Sequence, residues 1–119
     1  MAQYVDGFVL PMPKESVGAY KEIASKACKI WMEHGALEYR ECIAEDTDNK
    51  FGLSFPAGIQ AKDGETVVFA WITYKSRAHR DEVNAKVMAD ARMTEDMAKD
   101  MPFDCKRMLY SGFEVLVSS

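Results

Sequence analysis

The chain has no apolar run approaching the roughly 20 residues that a bilayer-spanning helix needs, so no membrane partner is expected. Its first residues, Met1-Ala2-Gln3-Tyr4-Val5-Asp6, carry neither the basic nor the apolar segment of an export signal, and a cytoplasmic location follows as the expectation. Basic residues number 15 against 19 acidic ones, a net charge of -4 at pH 7. Nucleic-acid binding needs a concentrated basic face, so no nucleic-acid partner is expected either. Only two histidines (His34, His79) and three cysteines (Cys28, Cys42, Cys105) are present, with no HxxxH or CxxC spacing. That excludes the common metal sites, and an odd number of scattered cysteines suits reduced thiols. The seven glycines are dispersed and none opens a phosphate-cradling loop, which leaves no expectation of a nucleotide, metal or other cofactor.

What is present reads as one globular domain over residues 1–119, with 48% hydrophobic and 29% charged residues. Tyr4 to Leu10 alternates as a strand stopped by Pro11 and Pro13. Val17, Tyr20, Ala24, Ala27 and Trp31, with Ile23 and Ile30, recur at helical spacing between Lys14 and His34, and Gly35 stands where a left-handed cap belongs. Leu37 to Ala44 alternates again. Between 46 and 64 lies a long connection, in which Ser54-Phe55-Pro56 could cap one helical turn, or Ile59 to Lys62 form a short strand. Val67 to Tyr74 is β-branched and aromatic on both faces, the pattern of a central strand. Ser76 caps a helix with Val83, Val87 and Met88 as its stripe, running to about Ala91; Met93 to Met101 adds a short helical piece, and Lys106 to Val117 is the last strand.

The order β-α-β-β-α-β predicts an α+β fold, a ferredoxin-like antiparallel sheet with two helices on one face. Val5, Gly7, Val9, Val68, Ala70, Ile72, Leu109, Phe113 and Val115 are assigned to the helix side, and Phe8, Tyr39, Ile43, Phe69, Trp71, Met108 and Tyr110 to the bare side. An uncovered face of that kind predicts a homodimer in which two sheets pack together as a dimeric α+β barrel.

On the bare face the alternation also places Asp6, Glu41 and Glu114 with Phe69, Trp71 and Tyr110, the candidate ligand-binding residues. Carboxylates among aromatics can act as a general base or as the polar contact of an apolar pocket. The alternative is that they pair with Arg40, Arg107 or a partner subunit. Arg80, Asp81, Asn84 and Arg92 form a second polar group, read as a solvated helix with local ion pairs or as an anion-binding rim. Cys28 and Cys42 read as buried packing thiols, Cys42 on the helix-covered face, and Cys105 as the thiol with basic neighbours.

Several segments carry a family resemblance: Tyr4-Val5-Asp6-Gly7-Phe8-Val9; Gly35-Ala36-Leu37 with Glu41-Cys42; Val67-Val68-Phe69-Ala70-Trp71-Ile72; Arg80-Asp81 with Asn84, Lys86 and Met88; Asp90 with Arg92-Met93; and Met101-Pro102-Phe103-Asp104. Through them the chain resembles the YbaA-like family of small uncharacterised bacterial proteins, a domain of unknown function. The resemblance implies membership of the dimeric α+β barrel superfamily. Cys105 and Ser111 stand where that family typically has glycine, so chemistry shared by the family does not depend on Cys105. Two functions fit these features. The first is a small-molecule-binding dimeric barrel of otherwise unknown function. The second is a cofactor-independent enzyme, of monooxygenase or isomerase type, acting on a small organic substrate in the barrel cavity.

Overall fold

The structure, a computed structural model, describes residues 2–97 and 101–119. Its sheet forms from β1 (Tyr4–Pro13), β2 (Glu38–Ile43), β3 (Glu65–Tyr74) and β4 (Leu109–Glu114), ordered β2-β3-β1-β4 with every neighbour antiparallel. The helices are α1 (Val17–Glu33), α2 (Phe55–Gly58), α3 (Arg77–Met88) and α4 (Ala91–Met97). Extents of 38 × 37 × 20 Å correspond to one sheet and one layer of helices.

Local signals explain most boundaries. Gly35, at φ 110°, ends α1, and the Ala36 N–H then donates to the Trp31 carbonyl. Ser76 caps α3 by accepting from the His79 N–H, and Ser54 caps α2 by accepting from the Ala57 N–H. The connection therefore contains the helical turn, not the strand. β1 runs on through Pro11 and Pro13 instead of stopping there. The reason is hydrogen-bond parity. The Gln3 carbonyl accepts from Val115 on the β4 side, whereas the Lys14 N–H donates to Gly64 on the β3 side. Odd residues of β1 therefore turn toward β4, and β4 pairs no further along β1 than Val9. The missing proline N–H groups fall where no partner strand needs them. The last strand is shorter than expected because Cys105–Arg107 forms a 3-10 turn whose Lys106 N–H is capped by Asp104. The expected Met93–Met101 helix corresponds to α4 up to Met97, and its remainder at 98–100 lies outside the described residues.

The pairing register corrects the assignment of faces. Phe8 pairs with Ala70 and Tyr110, Leu10 with Val68, Tyr39 with Ile72, Glu41 with Ala70, and Asp6 with Ile72 and Gly112. Cross-strand partners share a face. Ile72, Tyr74, Ile30, Val83 and Val87 form one core cluster with Tyr4, Phe8, Trp31 and Tyr39 packed on it, so this is the helix side. Leu10, Met12, Val68 and Ala70 form the second cluster, against Val17 and Tyr20. Val5, Gly7, Val9, Leu109 and Phe113, expected beneath the helices, instead share the open face with Phe69 and Trp71. Phe8, Tyr39, Ile43 and Tyr110 move the opposite way; only β3 is phased as expected. Bulk decides the matter. The gap between helix and sheet is filled by Phe8, Leu10 and Met12, which Val5, Gly7 and Val9 could not fill. Cys42 pairs with Phe69 and is exposed on the open face, not buried beneath helices, while Cys28 is half-buried.

Gly112 has a packing role on the helix side, because a Cβ there would lie 2.8 and 2.9 Å from Cε2 and Cζ of the Tyr4 ring. That ring is itself held under the Arg80 guanidinium, 4.9 Å from its centroid. Gly112→Ala is therefore expected to cost about 1–3 kcal/mol by overpacking. A denaturant midpoint equal to that of the unchanged protein would contradict this packing.

Candidate functional site

The helix side carries two polar centres, and each is built by residues from different elements. The first lies between α1 and β2. Tyr20, three turns before the end of α1, donates from Oη to Glu41 Oε1 at 2.5 Å, and Tyr39 Oη donates to Glu41 Oε2 at 2.6 Å. Tyr39 and Glu41 are two residues apart in β2, so the sheet aims both at α1. Burial, reinforced by the neighbouring Glu41, pushes both tyrosine hydroxyls far above their usual range. They remain neutral donors across the physiological range, and the carboxylate is the acceptor.

This Tyr-Glu-Tyr group separates two cavities. The inner one, about 280 Å³, lies under α1, with Phe8, Trp31, Ala27, Ala70 and Phe103 among its walls. The outer one, about 560 Å³, opens between α1 and β2 beside Val17, Lys21 and Cys28. Tyr20, Ala24, Tyr39 and Glu41 line both. The inner space exists because α1 and β3 face each other there with alanines, while aromatic rings hold the surrounding walls apart. Phe103 meets Tyr20 edge-on at 5.6 Å, and Trp31 lies 6.1 Å from Tyr39.

The second centre is a buried ion pair. Asp6 is 1% exposed and accepts from Arg80 Nη1 at 2.9 Å, and the same nitrogen lies 3.2 Å from Tyr110 Oη. Desolvation raises the Asp6 carboxyl above its ordinary range, opposed first by the Arg80 charge and then by the polar side chains of Asn84, Tyr110 and Tyr74 around it. Asn84 Oδ1 also accepts from Trp31 Nε1 at 3.1 Å and from Tyr74 Oη at 3.3 Å. Arg80 and Asn84 therefore point inward from α3, which corrects the expectation of a solvated face or anion rim. Arg92 does stay outside, bonded to Asp90 and Glu33.

Of the six residues singled out from sequence, Asp6, Glu41, Tyr110 and Glu114 share the helix side, whereas Phe69 and Trp71 lie on the open face. The structure joins Asp6 to Tyr110 through Arg80, makes Glu41 a wall of the cavities, and leaves Glu114 exposed at the end of β4. Neither Arg40 nor Arg107 pairs with these carboxylates. Arg40 bonds Glu38, and Arg107 clamps Glu65 through two nitrogens at 2.8 and 2.9 Å, holding that carboxyl down at about 2. On the open face Trp71 Nε1 donates to Glu38 at 2.7 Å, and Phe69 packs between Trp71 and Phe55 of α2. Tyr20, Trp31 and Phe103 were not anticipated as wall residues. Tyr20 and Trp31 were visible as the aromatic members of the α1 stripe. Among the described residues no group of three or more His, Cys, Asp or Glu side chains could hold a metal ion.

Removing Arg80 should expose the cost of the second centre. Arg80→Ala leaves an uncompensated buried carboxylate and is expected to cost about 3–5 kcal/mol near pH 7. The sign with pH follows from the raised Asp6 pKa: the folded state holds the proton more tightly than the unfolded state. Without the guanidinium that preference grows, so the deficit against the unchanged protein should widen as pH rises from about 4 to 7. Chemical denaturation at both pH values measures it, and a deficit independent of pH would show that Asp6 does not carry the charge.

Comparison with known proteins places the chain among relatives of undefined activity. It is 44% identical over 115 residues to the uncharacterized protein YbaA of Escherichia coli (strain K12), covering 97% of each chain, and equally to that of Shigella flexneri. Among solved structures, the de novo designed protein Foldit4 aligns over 98% of this chain and 99% of its own, at a TM-score of 0.45 and 8% identity, too distant to add to the argument. The family described as protein of unknown function (DUF1428) matches residues 3–105, and the chain belongs to that family.

Proposed function

We propose that the chain is a ferredoxin-like domain that pairs as a homodimer through its open sheet face and binds a small organic molecule in the inner cavity beneath α1. The strand order β2-β3-β1-β4, with α1 and α3 packed on one face, supports the ferredoxin-like assignment. Support for pairing comes from the other face, where Phe69, Leu109 and Phe113 are 41%, 58% and 55% exposed. They adjoin Val5, Val9 and Trp71, an apolar surface of a kind that proteins usually cover. Two copies packed sheet to sheet would form a barrel with the helices outside.

The observation that carries the binding reading is the cavity itself, an apolar space with one carboxylate and two neutral hydroxyls converging at its edge. The alternative, an enzyme without cofactor, requires Glu41 to act as an acid or base, and both of its oxygens already accept from tyrosines. The geometry therefore favours binding over catalysis.

Two measurements test this reading. Sedimentation equilibrium at micromolar concentration is expected to return a dimer, and Trp71→Ala should weaken it; a stable monomer would overturn the pairing. Titration with indole, a neutral molecule with an apolar body and one N–H donor, should shift the NMR signals of Phe8, Ala27 and Tyr39. Ala27→Phe, which fills the cavity from α1, should abolish those shifts. No response to indole, or shifts confined to Phe69 and Trp71 on the open face, would show that the cavity is not the site.

A further inference from the structure

The inner cavity differs from an ordinary apolar pocket in the balance of its walls. Five aromatic side chains border it, Phe8, Tyr20, Trp31, Tyr39 and Phe103, and Glu41 stands at their edge. The only other charged residue at the wall among the described residues is Arg40. It pairs with Trp71, so its side chain belongs to the opposite sheet face, where it bonds Glu38. The inward charge from these residues is thus a single negative one, surrounded by ring systems whose faces are themselves negative.

Resting on the reading of this cavity as a ligand site, we propose that it selects an organic ammonium ion, an alkylated amine held among the aromatic rings with the Glu41 carboxylate as its counter-charge. An ammonium near aromatic faces is attracted by their quadrupoles, more strongly where water is excluded, and enclosure by several rings is how proteins recognise quaternary amines. The tyrosines strengthen the arrangement. Each donates its proton to Glu41 and none toward the cavity, so the carboxylate is fixed in place while the phenol rings remain available as walls. An anionic ligand is disfavoured on the same grounds, because its charge would meet Glu41 at short range beside apolar walls. A bare inorganic cation is disfavoured by size and by donor count, since about 280 Å³ with one carboxylate offers no coordination shell. The net charge of -4 at pH 7 adds a long-range bias toward cations.

The test compares choline with 3,3-dimethyl-1-butanol, which has the same shape with carbon in place of the charged nitrogen. Calorimetric titration of the full chain at low salt should show choline binding at least about tenfold tighter than the alcohol. Glu41→Gln should remove most of that difference, and Ala27→Phe should remove choline binding altogether. The Ala27 variant keeps the test valid should the Glu41 variant fail to fold. Equal affinities for the two molecules would overturn the proposal, as would choline binding that persists in Ala27→Phe. If indole binds and choline does not, the preference for ammonium is wrong while the cavity remains a ligand site. If no probe binds, the ligand-site reading falls with it.

Discussion

Asp6 is the single buried charged residue in the core among the described residues, and the constraint it imposes reaches across the fold. A carboxylate at that depth is stable only beside a compensating charge, and Arg80 supplies it from α3. Arg80 ties α3 to two strands: it reaches Asp6 and the face of Tyr4 on β1, and Tyr110 on β4. The pair thereby sets the lateral position of α3 and commits the even residues of β1 to the helix side. Because side chains alternate, Phe8, Leu10 and Met12 must then enter the core, and Val5, Gly7 and Val9 must face outward. Gly7 fits this arrangement, since a Cβ there would come within 3.1 Å of the Phe113 ring that lies across it on the open face.

Once the parity of β1 is set, the cavity follows from residue size. β1 and β2 present large rings to the helix layer at Phe8 and Tyr39, while β3 presents Ala70 and α1 presents Ala24 and Ala27. Rings at the margin and methyl groups at the centre leave space that no side chain fills. An empty apolar volume forfeits dispersion contacts along its walls, and a core selected for stability alone would fill it with larger residues in place of the alanines. Glu41 stands in that wall half-buried, with both carboxylate oxygens accepting from Tyr20 and Tyr39. An unfilled apolar space and a hydrogen-bonded carboxylate thus meet at one location.

Element order was legible in the sequence because it rests on periodicity and caps. The α1 stripe, Ser76 before α3, Gly35 after α1 and the Ser54-Phe55-Pro56 turn each act within a few residues. Facing was not legible for three of the four strands, and β1 shows why. Its even positions read Tyr-Asp-Phe-Leu-Met and its odd positions Val-Gly-Val-Pro-Pro, so both registers offer apolar residues and the single Asp points toward solvent by habit. The partner that makes a buried Asp6 stable lies 74 residues away, beyond the range of any local pattern. The same long-range pairing turned Arg80 and Asn84 from expected surface residues into core contacts. For Glu41 the alternation gives Tyr39 correctly as a same-face neighbour, but Tyr20 comes from α1, and Phe69 and Trp71 stand behind it across the sheet.

The two sheet faces therefore divide the work of the protein. The helix side holds the core, the ion pair and the cavity, all satisfied within the chain, with no buried side-chain polar atom left unpartnered among the described residues. The open side is the less covered of the two, with Phe69, Leu109 and Phe113 exposed. Glu38 there is paired with Trp71 and Arg40, and among the described residues α2 rests on one end of its aromatic surface through Phe55. Covering that surface would leave the cavity walls contributed by α1 untouched, since they lie on the opposite side of the sheet. The open face and the cavity can therefore be altered separately: Trp71→Ala changes the first, and Ala27→Phe changes the second. Coupling between them would have to cross the sheet, where alternate residues of one strand, such as Phe69 and Ala70 of β3 or Val9 and Phe8 of β1, belong to different faces.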